Sequence, residues 1–289
     1  MSAAVVETAR SRQGTESYAI PSTGVDIHVA DWGAPQRAHA VVLLIPGTGG
    51  HGGYFGRFTD ELRTRGYHPF SVDLRGHGRS GGARGVFTLQ QWVENISDVA
   101  RFLRRRTGLR VVLLGTSQGG EVAFHALQAS DDVSAAVCHN ILLSTERPLN
   151  LKVRLMQSRA VARLAELLPT VRIPLKLALD WRKVSLDPAF LEQKRRDPLA
   201  VWHYSLASYR SLFTTPPSIP PAGNHKPVLI AVGERDELVG PEHCLRCFMA
   251  IGGPKQLCVL PGAAHQLVLD YPEQFADVVA RFLNEHLTR

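Results

Sequence analysis

Apolar, strand-like runs alternate along this chain with segments of helical periodicity, and this alternation constrains the fold more than any other feature. The runs at residues 41–45, 111–114 and 228–232 contain only valine, leucine, isoleucine and alanine. Such runs are typical of strands buried on both faces of a parallel sheet. Further strands are predicted at 25–29, 68–73, 133–138 and 256–260, and helices at 55–65, 89–106, 119–129, 241–250 and 272–287. The pattern predicts an α/β fold in which helices cover both faces of a mostly parallel sheet.

A helix-rich stretch interrupts this alternation at residues 144–223. It is rich in leucine, lacks strong strand signals and ends in the proline-rich sequence at 216–221. An insertion of this kind often covers the carboxyl ends of the strands, where open α/β sheets bind ligands. We therefore expect a core of residues 18–143 and 224–289, a helical cap at 144–223 and a loosely ordered tail at 1–17. The alternative for the insertion is a purely structural helical layer.

Composition and charge exclude several classes of protein. Of the 289 residues, 44% are hydrophobic and 20% are charged, which suits a globular chain. No apolar run is long enough to cross a membrane, and the N-terminus lacks the apolar core of a signal peptide. We therefore expect a cytoplasmic protein. The formal net charge is +7, but no aromatic residues alternate with the basic clusters at 101–110 and 194–196, so nucleic acid is not an expected partner.

Four cysteines occur, at Cys138, Cys244, Cys247 and Cys258. Cys244 and Cys247 form the single CxxC pair, which supplies only half of the ligands of a zinc site. We predict reduced thiols and no bound metal, with a redox motif as the less favoured alternative.

The sequence GTSQGG at residues 115–120 directly follows one predicted strand and precedes a predicted helix. The G-x-S-x-G pattern in this context predicts a sharp strand-to-helix turn that presents Ser117 as a nucleophile. The serine has to adopt a strained backbone conformation, and its neighbours on either side come too close together for side chains. The alternative is an ordinary turn in which Ser117 only caps the helix.

A serine hydroxyl becomes a good nucleophile when a histidine, oriented by a carboxylate, removes its proton. In this kind of sheet the chain order is serine, acid, histidine. Asp236 and His265 each lie a few residues beyond a predicted strand, in that order after Ser117. We predict the triad Ser117, Asp236 and His265, with Glu234 and Glu237 as alternatives for the acid.

A glycine-rich loop at residues 47–52 fits the G-x-G-x-x-G pattern, and Asp73 ends the next predicted strand. Together they resemble the fingerprint of a dinucleotide site. That site requires a helix to begin within the glycines, whereas Gly53 and Gly56 extend the glycine run and delay the helix. A dinucleotide would also leave the serine, the acid and the histidine without a role.

The same loop suits an oxyanion hole, which needs two backbone N–H donors beside the reacting carbonyl. One donor is the residue after the nucleophile, Gln118, and the other comes from the loop after a strand near the N-terminus. We predict the N–H groups of Thr48 and Gln118, with Gly49 in reserve for Thr48. No metal or organic cofactor is required.

Five motifs are shared with one superfamily: the glycine loop, DLRGHGRS at 73–80, GTSQGG at 115–120, GERDELV at 233–239 and GAAH at 262–265. With them the chain resembles the α/β-hydrolases, and more narrowly the monoacylglycerol lipase and lysophospholipase-like branch, over most of residues 25–289. The resemblance implies an eight-stranded, mostly parallel sheet with a helical cap, and a structural role for the 73–80 turn in holding the oxyanion loop. Pro46 and Gln118 depart from relatives, which often have histidine and methionine there.

The expected activity is hydrolysis of a carboxylic ester of an apolar acyl group, such as a monoacylglycerol, through an acyl-enzyme. The expected partner is a small-molecule acyl ester. Within the same fold, thioesters, amides, lactones and C–C bonds are alternatives. A dinucleotide-dependent oxidoreductase and a non-catalytic binding module are less favoured.

Overall fold

A computed structural model describes the chain except for residues 1–8, 11–15, 144, 145, 147, 149, 178, 288 and 289. Its main sheet has the strand order β1-β2-β3-β5-β4-β6-β7-β10-β11. The strands are β1 (Ala9–Arg10), β2 (Glu16–Ser22), β3 (Val25–Asp31), β4 (Ala40–Ile45), β5 (Tyr67–Val72), β6 (Val111–Thr116), β7 (Val133–His139), β10 (Val228–Gly233) and β11 (Lys255–Leu260). From β5 to β11 all pairs are parallel, whereas β1, β2, β3 and β5 pair antiparallel.

The predicted fold class is confirmed, with the short strand β1 added at one edge of the eight-stranded sheet. Strand β2 was not predicted. Its first two residues fall in the segment expected to be a loosely ordered tail, and they pair in register with Asp31 and Ala30 of β3. Most of that tail, residues 1–17, lies outside the described residues.

Ten helices are found in the described part of the chain. They are α1 (Gly56–Thr64), α2 (Leu89–Thr107), α3 (Gln118–Ala129), α4 (Leu151–Met156), α5 (Arg159–Leu167), α6 (Pro188–Arg196), α7 (Leu206–Thr214), α8 (Pro241–Ala250), α9 (Leu267–Asp270) and α10 (Pro272–Leu287). Helix α2 shows why the sequence begins and ends a helix at these points. Thr88 and Gln91 form a reciprocal capping box at its start, and Gly108 closes its end with φ of 70°.

Two hydrophobic clusters cover the two faces of the sheet. Along β4, Val41, Leu43 and Ile45 face one cluster, whereas Val42 and Leu44 face the other. The first cluster includes α2 and α3, and the second includes α1 and α10. Because every residue of β4 is buried, the strand is apolar throughout rather than alternating. This packing fixes the carboxyl ends of the central strands as a rigid edge.

Residues 144–223, which we call the cap segment, connect β7 to β10. They contain helices α4 to α7 and a separate pair of short antiparallel strands, β8 (Arg172–Pro174) and β9 (His203–Ser205). Turns of 3-10 helix occur at Leu175–Leu177 and Trp181–Lys183. The division into core and cap, with the boundaries given above, stays a prediction. None of the helices in the described residues is long and apolar enough to cross a membrane.

Candidate active site

Ser117 lies between β6 and α3 with φ of 53° and ψ of −118°, a conformation that is strained for any residue but glycine. Its N–H donates to the carbonyl of His139 on the neighbouring strand at 2.7 Å. A Cβ atom on Gly115 would lie 1.9 Å from the carbonyl oxygen of Gly119. The turn therefore needs glycine on either side of the serine, as the sequence pattern predicts.

The predicted acid and base are in contact. Asp236 follows β10 and His265 follows β11, and Nδ1 of His265 lies 2.9 Å from Oδ2 of Asp236. The other carboxylate oxygen accepts from the N–H groups of Leu238 and Val239 at 2.8 and 2.9 Å. Burial would raise the pKa of Asp236, but the contact with His265 and these two N–H groups outweigh it and lower the pKa below its usual value.

The two alternative acids are engaged elsewhere. Glu234 accepts from the N–H of Gly262 at 2.7 Å, and the Glu237 carboxylate pairs with the ammonium of Lys183. Because Asp236 holds Nδ1 of His265, the proton on that nitrogen points to the carboxylate. The other ring nitrogen, Nε2, is then free to act as a base.

Asn140 belongs to this group, although sequence reasoning missed it. It is fully buried just beyond β7, with φ of 61°, and its amide nitrogen donates to Oδ2 of Asp236. The sequence signal is a polar residue just beyond the predicted strand at 133–138, and the structure places that strand, β7, between β6 and β10. A polar residue at the carboxyl end of a strand between those of the nucleophile and the acid is placed to reach both.

Ser117 and His265 line one cavity of about 40 Å³. Thr48 and Gly47 of the glycine loop also line it, and the cap segment contributes Trp181 and Lys194. The remaining lining residues are Pro46, Gly50, Tyr54, Phe55, Thr116, Leu179, Val184, Phe190, Gln266, Val268 and Leu269. Most of these side chains are apolar, and no carboxylate lines the cavity among the described residues.

The glycine loop and the start of α3 each offer one N–H donor beside the serine. In the part of the chain that the structure describes, neither Thr48 N–H nor Gln118 N–H donates to a protein acceptor. By contrast, the N–H of Gly49 donates to the hydroxyl of Tyr204 at 2.8 Å, and that of Gly50 to the carbonyl of Gly47 at 3.0 Å. The N–H of Gly49, the alternative to that of Thr48, therefore already has an acceptor.

The glycine loop lacks the geometry of a dinucleotide site. A 3-10 turn occupies Gly52–Phe55, and α1 begins only at Gly56, beyond the glycines. Asp73, the acidic residue of the fingerprint, accepts from the N–H groups of Gly52 and Arg79 at 2.7 and 2.8 Å. The carboxylate thus ties the glycine loop to the 73–80 turn, as the resemblance implies.

Gly49 is held by the cap segment on both sides of its backbone. Its carbonyl accepts from the ammonium of Lys194 at 2.8 Å and from the N–H of Val201 at 3.0 Å. The Tyr204 hydroxyl that accepts from its N–H also lies 3.0 Å from Nε2 of His77. Gly49 has φ of 63°, and a Cβ atom there would lie 2.2 Å from the carbonyl oxygen of Val201.

The cysteines lie apart from one another or are buried as thiols. The structure holds all four thiols as free cysteines, with Cys244 and Cys247 buried on α8. Burial raises the pKa of Cys244 to about 12, so this thiol is a poor ligand and a poor nucleophile. Among the described residues, no group of three or more histidine, cysteine, aspartate or glutamate side chains could hold a metal ion.

Comparison with known proteins places this geometry among the α/β-hydrolases. The sequence profile of the Hydrolase_4 family, described as serine aminopeptidase S33, matches residues 36–272. The chain is 27% identical over 275 residues to a monoacylglycerol lipase of Mycolicibacterium smegmatis, which covers 91% of this chain and 95% of the relative. It is 28% identical over 220 residues to phospholipase YtpA of Bacillus subtilis, covering 75% of this chain and 83% of the relative.

Solved structures show the same fold. The monoacylglycerol lipase of Paleococcus ferrophilus superposes with a TM-score of 0.73 at 24% identity, covering 90% of this chain and 99% of that chain. A monoglyceride lipase variant of Saccharomyces cerevisiae, in complex with a substrate analogue, superposes with a TM-score of 0.76 at 20% identity, covering 99% and 98%.

Proposed function

Because the chain belongs to the Hydrolase_4 family and is an α/β-hydrolase that acts on ester bonds, we propose that Ser117, His265 and Asp236 are its catalytic triad. The substrate is a carboxylic ester of an apolar acyl group. One observation carries the proposal: Ser117, on its strained turn, lines the same cavity as His265, whose ring contacts the buried Asp236.

In the first step, Oγ of Ser117 attacks the acyl carbonyl carbon while Nε2 of His265 takes the hydroxyl proton. The new bond makes a tetrahedral oxyanion, which the N–H groups of Thr48 and Gln118 stabilise. As the bond to the leaving alcohol breaks, His265 donates the proton to the alcohol oxygen, and the acyl group remains on Ser117.

In the second step, His265 removes a proton from water, and the hydroxide oxygen attacks the acyl-enzyme carbonyl. The bond to Ser117 then breaks, its Oγ regains the proton from His265, and the free acid leaves. Asp236 keeps its negative charge throughout, since its pKa is lowered, and so stabilises the imidazolium that forms in each step. Asn140 donates to the same carboxylate and fixes its orientation.

The cavity lining supports an apolar acyl group. Leu179, Val184 and Phe190 of the cap segment face Val268 and Leu269 of the core across the cavity. Its volume of about 40 Å³ is too small for an acyl chain. We therefore propose that residues 144–223 act as a lid whose side chains move aside when substrate enters.

The family description names an aminopeptidase, so amide hydrolysis is the second candidate. An aminopeptidase has to bind the free ammonium of its substrate, which favours a carboxylate nearby. The described cavity residues offer none, and Lys194 would repel a second cation there. The charge of the cavity therefore favours an ester. A cytoplasmic location, the absence of a nucleic-acid partner and the absence of a cofactor stay predictions.

The first test is covalent labelling with a fluorophosphonate, which reacts with activated serines. The wild-type protein should be labelled, and Ser117→Ala should not be. Ser218→Ala, which removes an exposed serine, serves as the control and should label like the wild type. Labelling that persists in Ser117→Ala would place the nucleophile elsewhere.

The second test compares nitrophenyl esters of increasing acyl length with a nitroanilide of the same acyl group. An esterase should hydrolyse the esters with a preference among chain lengths and leave the anilide largely intact. Faster cleavage of the anilide would favour the amidase and contradict the ester proposal.

A further inference from the structure

A buried lysine of the cap segment lines the candidate active site. Lys194 lies on α6, is 2% exposed, and shares the cavity with Ser117 and His265. Lysine is almost never fully buried unless it is paired, because moving an ammonium out of water is costly. Its position beside the reacting groups therefore needs an explanation.

No carboxylate of the described residues contacts this ammonium directly. In the described residues Lys194 forms no ion pair, and Asp197 is the acidic residue whose charge acts on it. The Asp197 carboxylate is already engaged at 2.6 Å by the ring of His51 and at 2.8 Å by the hydroxyl of Tyr54. The positive charge of Lys194 is thus left without a dedicated counterion.

Instead, a backbone carbonyl and several aromatic rings hold the ammonium of Lys194 in place. The ammonium donates to the carbonyl of Gly49 at 2.8 Å and lies 4.7 Å from the ring centroid of Trp181. The rings of Tyr54 and Trp202 are each 5.4 Å away. Aromatic faces attract a cation but carry no net charge. Burial lowers the pKa of Lys194 to about 7, and a bound anion would raise it again.

A second cavity, of about 290 Å³, shares one lining residue, Trp181, with the first. Its other lining residues are Lys176, Leu191, Arg195 and Trp202. Lys176 and Arg195 are exposed, and no carboxylate lines this cavity among the described residues. Arg195 lies 3.9 Å from the Glu192 carboxylate, whereas Lys176 forms no ion pair within the described part of the chain. The positive side chains around the two cavities favour an anion over a cation there.

We propose that Lys194 is a specificity-determining residue, which pairs with an anionic group, a carboxylate or a phosphate, carried by the ester substrate. The inference rests on the proposed esterase function and narrows its substrate class. An acyl ester with a charged group would gain a charge-assisted hydrogen bond in a dry site, whereas a neutral ester of the same length would not.

The test is a pair of substrates that differ in one charge. Nitrophenyl hexanoate is neutral, and the mono-nitrophenyl ester of adipic acid has the same acyl length and ends in a carboxylate. Wild-type enzyme should have the lower KM for the adipate ester. Lys194→Met should raise that KM by about 10- to 100-fold, as expected for the loss of one charge-assisted hydrogen bond, while the KM for hexanoate changes little.

Two variants act as controls. Lys194→Arg keeps the charge and should retain most of the preference for the adipate ester. Lys226→Met removes another partly buried ammonium that donates to backbone carbonyls, those of Leu127 and Ser130, remote from the cavity. It should leave the ratio of the two KM values unchanged.

A parallel pair separates the two anion sources. Monohexanoylglycerol and its phosphate monoester place the charge on the leaving group instead of the acyl group. If the phosphate ester shows the larger Lys194-dependent preference, the anion is a phosphate on the alcohol side. If the adipate ester does, it is a carboxylate on the acyl side.

The inference fails if wild-type enzyme hydrolyses hexanoate but has no preference for either anionic ester. It also fails if Lys194→Met changes KM equally for the neutral and anionic esters, because the lysine would then only hold Gly49. A fall in kcat that is equal for all esters is expected from the loss of the Gly49 contact and does not count against the proposal. If Lys194→Met does not fold, the wild-type KM values for the neutral and anionic esters still test the inference. Absence of hydrolysis of all four esters would instead contradict the esterase function itself.

Discussion

Ser117, Asp236 and His265 are held by the core, whereas the glycine loop beside them is held by the cap segment. The first three follow β6, β10 and β11, and their backbone and side-chain contacts are with the core. The loop follows β4 in the same sheet, yet Gly49 is fixed by Lys194, Val201 and Tyr204, which lie about 150 positions further along the chain. In the proposed mechanism, the groups that transfer protons would therefore depend on the sheet, and the Thr48 donor of the oxyanion hole would depend on how the cap segment docks.

The largest loss should follow from a change in the part held by the core. Ser117→Ala should lower kcat by roughly 10³- to 10⁶-fold, the range seen when a triad member is removed. Steady-state kinetics on a nitrophenyl ester measures the loss, and a melting curve like that of the wild type shows that the fold is intact. A loss of only a few-fold would remove Ser117 from the chemistry.

Asp236→Asn should come next, with a fall in kcat of about 10⁴-fold, because the amide cannot stabilise the imidazolium or fix its tautomer. Glu234→Gln is the matched control, since Glu234 accepts a backbone N–H and does not touch His265. The order of the two kcat values decides the identity of the acid. A more damaging Glu234→Gln would show that the acid is Glu234.

A smaller loss should follow when the cap segment releases the glycine loop. Tyr204→Phe removes the acceptor of the Gly49 N–H and should lower kcat by about 10- to 100-fold, less than the direct loss of an oxyanion donor. KM should change little, because the phenol acts on the transition state through the loop.

Tyr209→Phe is the control for this prediction. Tyr209 is also a buried tyrosine of the cap segment, and it packs against the ring of Tyr204 without a hydroxyl contact to Gly49. Equal effects of the two changes on kcat, or effects on KM alone, would contradict a role for the cap segment in positioning the loop.

The smallest effect should come from an exposed contact between the same two regions. Lys183 of the cap segment pairs with Glu237 of the core at the surface. Lys183→Met should leave kcat and the melting temperature almost unchanged, because solvent screens such pairs. A clear fall in kcat would show that the docking of the cap segment depends on this exposed ion pair as well as on its buried contacts.

The contrast between the two regions also explains how far the sequence could predict them. The strands of the parallel sheet are continuous apolar runs, and their carboxyl ends share one edge. Together with the G-x-S-x-G pattern and the order serine, acid, histidine, this was enough to predict Ser117, Asp236 and His265, with the acid left open among three neighbours. The structure brings Asp236 and His265 into contact, while their catalytic roles stay predictions. Strand β2 was missed because Pro21 interrupts its apolar pattern.

Tyr204 and Lys194 could not be found in the same way. Each meets the glycine loop across more than 140 residues of sequence, from short elements with no repeating pattern. Their roles depend on side-chain hydroxyl and ammonium groups that reach a backbone amide, and hydrophobic periodicity carries no information about such contacts. Asn140 is intermediate, because the strand before it was predicted from the sequence but its contact with Asp236 was not.

If Thr48 and Gln118 form the oxyanion hole as proposed, the cap residues that hold Gly49 also fix the position of the neighbouring Thr48, and lifting the cap segment would release it. An open cap segment and a complete oxyanion hole would then exclude each other. An ester that reaches the serine while the cap segment is open would meet only one of the two proposed donors, that of Gln118, so turnover would favour compounds on which the cap segment can close. The protein would then select esters by size through the completion of the oxyanion hole, even if its cavity accepts many acyl groups.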